Sequence, residues 1–315
     1  MLQASDIQIR DPFVFVEDGC YYLFGSTDKD IWTGGVGFDL YRSGNLADFE
    51  GPFPAFRPPE GFWSEKNFWA PEVHKYRGAC YMFATFKPKA GRRGTAVLKS
   101  AAVAGSAVLG PYEPYSAGPV TPPEWECLDG TLFVENGAPY LVFCHEWVQT
   151  VDGTICAMPL TPDLKAQAGK PELLFHASEA RWAAPLKSRP DKVIPPERYV
   201  TDGPFLWKTQ DGGLLLLWSS FGEDGMYRIG AARSASGMLR GPWRQSAEPL
   251  YAADGGHGMV FRALTGRLYL AIHTPNKTPH ERPLFVEVAE EGGTLRVIKS
   301  LETGSVIINK EKWNV

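Results

Sequence analysis

The sequence predicts an all-β fold, a five-bladed β-propeller of four-stranded antiparallel blades around a central funnel. Three observations predict it: an apolar hairpin pattern that occurs five times, nearly even unit lengths, and a composition suited to many tight turns. Glycine (33) and proline (26) together approach a fifth of the 315 residues. That exceeds the roughly 12% of average usage but stays below the ~25–30% typical of disordered low-complexity chains. Aromatic residues at 13%, including 10 tryptophans, indicate a packed globular protein.

The hairpins follow one another along the chain. Phe13-Val14-Phe15-Val16 turns at Asp18-Gly19 into Cys20-Tyr21-Tyr22-Leu23-Phe24, and Val73-His74-Lys75-Tyr76 turns at Arg77-Gly78 into Ala79-Cys80-Tyr81-Met82-Phe83. Thr131-Leu132-Phe133-Val134 turns at Asn136-Gly137, Phe205-Leu206-Trp207 at Asp211-Gly212-Gly213, and Met259-Val260-Phe261 near Thr265-Gly266. An Asp-Gly or Asn-Gly pair between two β-rich runs is a strong hairpin signal, because both residues tolerate positive φ. Further strand-like runs complete each unit. Three of them lead to a Gly-Pro-aromatic corner (Gly51-Pro52-Phe53, Gly110-Pro111-Tyr112, Gly241-Pro242-Trp243), expected to mark strand boundaries because proline cannot donate to a ladder.

Units opening at Asp11, Ala70, Asp129, Asp202 and His257 are spaced 59, 59, 73 and 55 residues apart. A pair of β-sandwiches would not require such even spacing. The long third interval holds an irregular stretch, about 176–198, with four prolines and alternating charge, expected to be a surface loop near the site rather than core. The whole chain, 1–315, reads as a single propeller domain.

Other classes are excluded or disfavoured. A net charge of −4 leaves no basic footprint for nucleic acid. No apolar run approaches the ~20 residues of a membrane-spanning helix. The N-terminal residues show no signal-peptide pattern, so a cytoplasmic location is the expectation. Cys20, Cys80, Cys127, Cys144 and Cys156 lack CxxC spacing and read mostly as small buried thiols rather than zinc ligands or disulfides.

In a propeller the first strand of each blade lines the axis, and the second, running antiparallel, returns to the same face. The opening residues and the returning ends (Ser26-Thr27-Asp28, Thr85-Phe86-Lys87, His145-Glu146-Trp147, Ser219-Ser220-Phe221, His273-Thr274-Pro275-Asn276) should therefore share one funnel. Asp11, Asp129 and Asp202 open three blades there. Each alone fits a local turn cap. Together, beside tryptophans, they suit glycoside hydrolysis, in which one carboxyl protonates the leaving oxygen and another activates water. Separation of the two by roughly 6.5–9.5 Å would imply inversion.

Arg10-Asp11-Pro12-Phe13, Trp69-Ala70-Pro71-Glu72-Val73-His74, Asp129-Gly130-Thr131-Leu132-Phe133, Asp202-Gly203-Pro204 and Gly256-His257-Gly258 together resemble family 43 glycoside hydrolases. The resemblance runs in order from about Asp6 to about Val288. It implies a five-bladed propeller that cleaves arabinofuranosides, xylosides or, in some branches, galactosides, with inversion. It further implies Asp11 as general base and Asp129 as the auxiliary carboxylate that orients the site and tunes the acid. The family's general acid is usually glutamate, whereas this chain has Asp202, whose carboxyl falls short by roughly one bond, 1–1.5 Å. Either the backbone compensates or Glu146 supplies the proton; an ionised Asp129 nearby would help to keep the acid protonated.

The resemblance also implies a calcium or other cation near the axis with a histidine at the position of His257, although one imidazole is weak support for an oxygen-preferring ion. No cofactor is otherwise required. Trp69 and Trp147 are candidate sugar-stacking residues, with Trp32 walling the pocket and Arg10 and Glu72 as further substrate-binding candidates. Arg10 fits an orienting or a structural salt-bridge role equally well. His74 and His273 read as partners of structural groups or of sugar hydroxyls, Trp207, Trp218 and Trp243 as core, and Arg282 as a residue that could approach the funnel. The functional expectation is an inverting exo-acting α-L-arabinofuranosidase or β-xylosidase on plant-derived oligosaccharides. The alternatives are a β-galactosidase of the same mechanism and a non-catalytic carbohydrate-binding propeller.

Overall fold

A computed structural model describes residues 1–102, 107–188 and 193–300. Residues 189–192 of the irregular stretch and 301–315 of the expected domain lie outside the described residues.

Five antiparallel sheets form the blades. Their innermost strands are Arg10–Glu17, Ser64–Tyr76, Cys127–Glu135, Asp202–Lys208 and Gly256–Arg262, each packing against the next around the axis. The ring closes where Gly256–Arg262 meets Arg10–Glu17. Blade 1 carries a fifth, outermost strand, Leu2–Gln3, paired to Asp48–Phe56. Second strands such as Leu214–Phe221 are apolar on both faces because blades sandwich them, so they read as continuous apolar runs rather than alternating ones.

The turn pairs behave as their chemistry dictates. Asp18-Gly19, Arg77-Gly78 and Asn136-Gly137 all have positive φ at both residues, the signature of the two-residue hairpin that matches strand twist. Trp218 and Trp243 are buried in the core, while Trp207 is half-buried and donates its indole N–H to Glu290. All five cysteines are free, and all but Cys20 are buried.

Three expectations are corrected. The Gly51-Pro52-Phe53 corner lies inside the strand Asp48–Phe56, where an irregular register on an outer strand accommodates the proline. The irregular stretch begins later than 176, because His176 ends the outer strand Glu172–His176 of blade 3. That stretch is also not all surface: Ala177, Ala180, Trp182 and Ala184 are buried, and Trp182 packs on Trp218 at 4.6 Å between ring centroids. Its tryptophan outweighs its charges because Gly230 leaves room for the indole, which a Cβ there would strike at 2.3 Å.

Candidate active site

Every innermost strand breaks register at its opening, between Arg10 and Phe13, Trp69 and Glu72, Leu128 and Thr131, Asp202 and Phe205, and Gly256 and Met259. The residue just inside each break adopts positive φ: Asp11 (54°), Ala70 (45°), Asp129 (57°), Gly203 (52°) and His257 (45°). Left-handed backbone costs a non-glycine residue roughly 1–2 kcal/mol, so something must hold each one. Its backbone N–H donates to the preceding blade. Asp11 N–H reaches His273 Nδ1 (3.2 Å), Ala70 reaches Ser26 Oγ (2.8 Å), Asp129 reaches Thr85 Oγ1 (2.8 Å), and His257 reaches Ser219 Oγ (2.8 Å).

Blade 3 differs. Cys144 occupies the corresponding second-strand place, opposite Leu128, and Gly203 N–H donates instead to Asp129 Oδ2 at 3.0 Å. The bulges therefore turn Asp11, Asp129 and His257 into the funnel and lock the blades to one another.

This register corrects the unit boundaries. Gly203, not Asp202, is the equivalent of Asp11 and Asp129; Asp202 sits one residue earlier, in the place of Arg10, Trp69, Leu128 and Gly256. Asp-Gly occurs in both Asp129-Gly130 and Asp202-Gly203, which aligned them falsely in the sequence. All three aspartates nevertheless line one cavity of about 830 Å³, together with Glu146, His257, Trp32, Trp69, Trp147 and Arg10. Glu72 lies outside that cavity and bonds His74 Nε2 through Oε2 at 2.9 Å. Arg282 does not approach it either; its guanidinium donates to the backbone carbonyls of Ser5, Pro279 and Glu281.

His257 organises the charges. Its Nδ1 lies 3.1 Å from Asp11 Oδ1 and 3.6 Å from Asp129 Oδ2. Burial pulls the imidazole down, but Asp11, Asp129 and Asp202 outweigh it and raise its pKa. Burial alone would raise Asp11; His257, Arg10 and the Ser26 hydroxyl hold it below the ordinary carboxylate range. Burial pushes Asp129 up to about 7 and raises Asp202 as well, with His257 opposing in both cases. The raised Asp129 contrasts with the plainly ionised carboxylate expected there from the sequence.

Glu146 caps the short helix Trp147–Thr150 and receives Arg93 Nη1 on Oε1 at 2.9 Å. Burial pushes it up to about 7, with Arg93 opposing and Asp202 reinforcing. Arg10 does not pair with the Asp11 carboxylate. It binds the fully buried Glu281 at 2.8 Å and lies 5.7 Å over Trp32. Trp32 meets Trp69 edge-on at 5.5 Å, and Trp69 in turn underlies Arg93 at 4.6 Å. This ladder of cations and indoles builds one wall of the funnel across blades 1 and 2, each cation–π step contributing about 0.5–2 kcal/mol. Trp32 is 54% exposed, so the wall still offers apolar surface to a ligand.

Among the described residues no group of three or more His, Cys, Asp or Glu is arranged to hold a metal ion. His257 Nδ1 faces two carboxylates, an arrangement in which Nε2 would be the ring nitrogen to act as a ligand. The raised pKa of His257 favours the imidazolium beside those carboxylates.

The sequence matches the model for glycosyl hydrolases family 43 over residues 5–289. The chain belongs to this family and is a glycoside hydrolase. An endo-arabinase structure from Bacteroides thetaiotaomicron VPI-5482 is 39% identical, with 93% of this chain and 98% of that one covered at a TM-score of 0.83. Two more distant structures share the fold. An endo-1,4-beta-xylanase from the same organism is 23% identical (93% and 94% covered, TM-score 0.69), and an alpha-L-arabinofuranosidase from Lactobacillus brevis is 18% identical (92% and 95%, TM-score 0.70). No match was found among curated proteins.

Arg93, Tyr227, Ser26 and Glu281 were not singled out in the sequence. Ser26 lies in a returning strand end that was, and its neighbour role was the available signal. Tyr227 opens a third strand, and no local pattern shows that it faces the axis.

Proposed function

We propose that this family 43 enzyme is an inverting glycosidase that releases α-L-arabinofuranosyl residues from short plant-derived oligosaccharides. The observation that carries the reading is the split between carboxyls in one cavity: Asp11 held ionised, Asp202 pushed towards the protonated form. Asp11 takes a proton from water as the oxygen attacks the anomeric carbon. Asp202 gives its proton to the leaving oxygen as the glycosidic bond breaks. Asp129 fixes the Gly203 amide, hence the backbone that carries Asp202. Glu146, bound to Arg93, supports the wall that receives the sugar.

The likeness to an endo-arabinase favours arabinosyl over xylosyl linkages, and it also supports a second reading, internal cleavage of arabinan. Hydrolysis of 4-nitrophenyl α-L-arabinofuranoside, β-D-xylopyranoside and β-D-galactopyranoside, with product analysis on linear arabino-oligosaccharides, separates these. Monosaccharide release from chain ends supports the proposal, and early mid-length products support endo action. Proton NMR of the first product reports the anomer, and retention of configuration contradicts the mechanism. Asp11→Asn should abolish turnover. Sugar binding by the wild type with no turnover on any glycoside would instead indicate a binding protein.

A further inference from the structure

Asp202 is one methylene shorter than glutamate, so its carboxyl has less reach and depends more on what holds it. Tyr227, at the start of the strand Tyr227–Ser234, donates its phenol O–H to Asp202 Oδ2 at 2.9 Å. The tyrosine is itself fixed. Its ring lies nearly parallel to His273 at 5.7 Å and against Phe221 at 5.1 Å, and a Cβ on Gly256 would come within 2.8 Å of it. The ring is 1% exposed, and burial followed by Asp202 raises the phenol well above its usual range, so it remains a donor. Among the described residues no hydrogen bond reaches Asp202 Oδ1. His273 extends the arrangement to the backbone that carries the other carboxylate, because its Nδ1 accepts the Asp11 backbone N–H.

We propose that Tyr227 is a positioning residue for Asp202: its phenol pins Oδ2, fixes the shortened carboxyl, and leaves Oδ1 as the oxygen that carries the transferable proton. In the reaction the Oδ1–H bond breaks and its proton passes to the leaving oxygen. That oxygen keeps the electron pair of the broken glycosidic bond, while Asp11 takes the proton of the attacking water. The inference rests on the glycosidase reading above.

The groups that set the titration of Asp202 are His257 from blade 5, Arg10 and Asp11 from blade 1, Asp129 and Glu146 from blade 3, and Tyr227 itself. Donation from Tyr227 favours the ionised carboxyl, so its removal raises the Asp202 pKa. Tyr227→Phe should move the alkaline limb of kcat/KM to higher pH. It should also lower kcat/KM on arabinosides with poor leaving groups by about 10–100-fold, and on 4-nitrophenyl glycosides by less than about threefold. In an Asp202→Asn background the same substitution should change the rate by less than about twofold.

Equal losses across leaving groups, an unmoved limb, or an undiminished effect in the Asp202→Asn background would overturn the proposal. If the phenylalanine variant does not fold, 3-fluorotyrosine at position 227, a more acidic donor, should move the limb to lower pH; no movement overturns the proposal. Titration of the Asp202 carboxyl by 13C NMR in wild type and variant needs no turnover. An unchanged titration overturns the inference even if glycoside hydrolysis fails altogether, whereas a shifted titration without hydrolysis overturns only the functional reading.

Discussion

The Ser26 hydroxyl donates to Asp11 Oδ2 at 2.6 Å while its oxygen accepts the Ala70 backbone N–H at 2.8 Å. One side chain thus orients the carboxylate proposed as base and seats the left-handed residue of the next blade. Ser26→Ala leaves a buried N–H unpaired and removes a donor to a carboxylate, so it should cost about 1–3 kcal/mol of stability. It should also raise the Asp11 pKa, since the hydroxyl favours the ionised form. The acid limb of kcat/KM then moves to higher pH, measurable in a pH–rate profile beside a denaturant melt.

The wild-type pH profile follows from the same electrostatics. A base held below the ordinary carboxylate range keeps activity at low pH, and the raised pKa of Asp202 should place the alkaline limb above the ordinary carboxylate range. An alkaline limb at about 4, the ordinary aspartate range, would contradict the assignment of Asp202 as the acid. The limb should keep its position when salt is raised, because the groups are buried.

His273 makes stability sensitive to acid. It is fully buried, and burial pushes its pKa down to about 3, so it stays neutral in the folded protein. The unfolded chain binds that proton below about 6.5, so this residue's contribution falls as pH drops from about 6.5 towards 3. His257 has the opposite sign. Its raised pKa contributes stability that is fully present below about 6.5 and is lost as pH rises through its higher folded value. A His273→Gln variant should be less stable at pH 7 yet lose less on acidification to pH 5, which thermal melts at the two pH values would show.

Trp182 ties the irregular stretch to blade 4, and that stretch brings Pro185, Leu186 and Lys187 to the cavity. Trp182→Ala should cost about 3–5 kcal/mol, the usual range for emptying a buried indole site. It should also raise KM on oligosaccharides more than it lowers kcat, because the wall moves while the carboxyls stay. A steady-state comparison with a thermal melt checks both.

The blade hairpins were legible in the sequence because their turns need particular residues: Asp18-Gly19, Arg77-Gly78 and Asn136-Gly137 each take positive φ at both positions. The funnel was legible because strand direction alone returns Ser26, Glu146 and His273 to the face that Asp11 and Asp129 open. What sequence could not fix was a one-residue register. Asp202 and Gly203 are both plausible openers, and only the backbone shows which one is left-handed. Arg93 and Tyr227 stayed hidden because they come from a loop and a third strand, where facing depends on how blades pack rather than on local alternation.

The central claim is that Asp202, not Glu146, protonates the leaving oxygen. The direct measurement is the leaving-group dependence of kcat/KM for Asp202→Asn and Glu146→Gln across aryl and alkyl α-L-arabinofuranosides. Asp202→Asn should lose on the order of 10²–10⁴-fold on alkyl glycosides and far less on activated aryl ones, whereas Glu146→Gln should lose similar, smaller factors on both. The reverse pattern, with Glu146→Gln carrying the leaving-group dependence, would contradict the account.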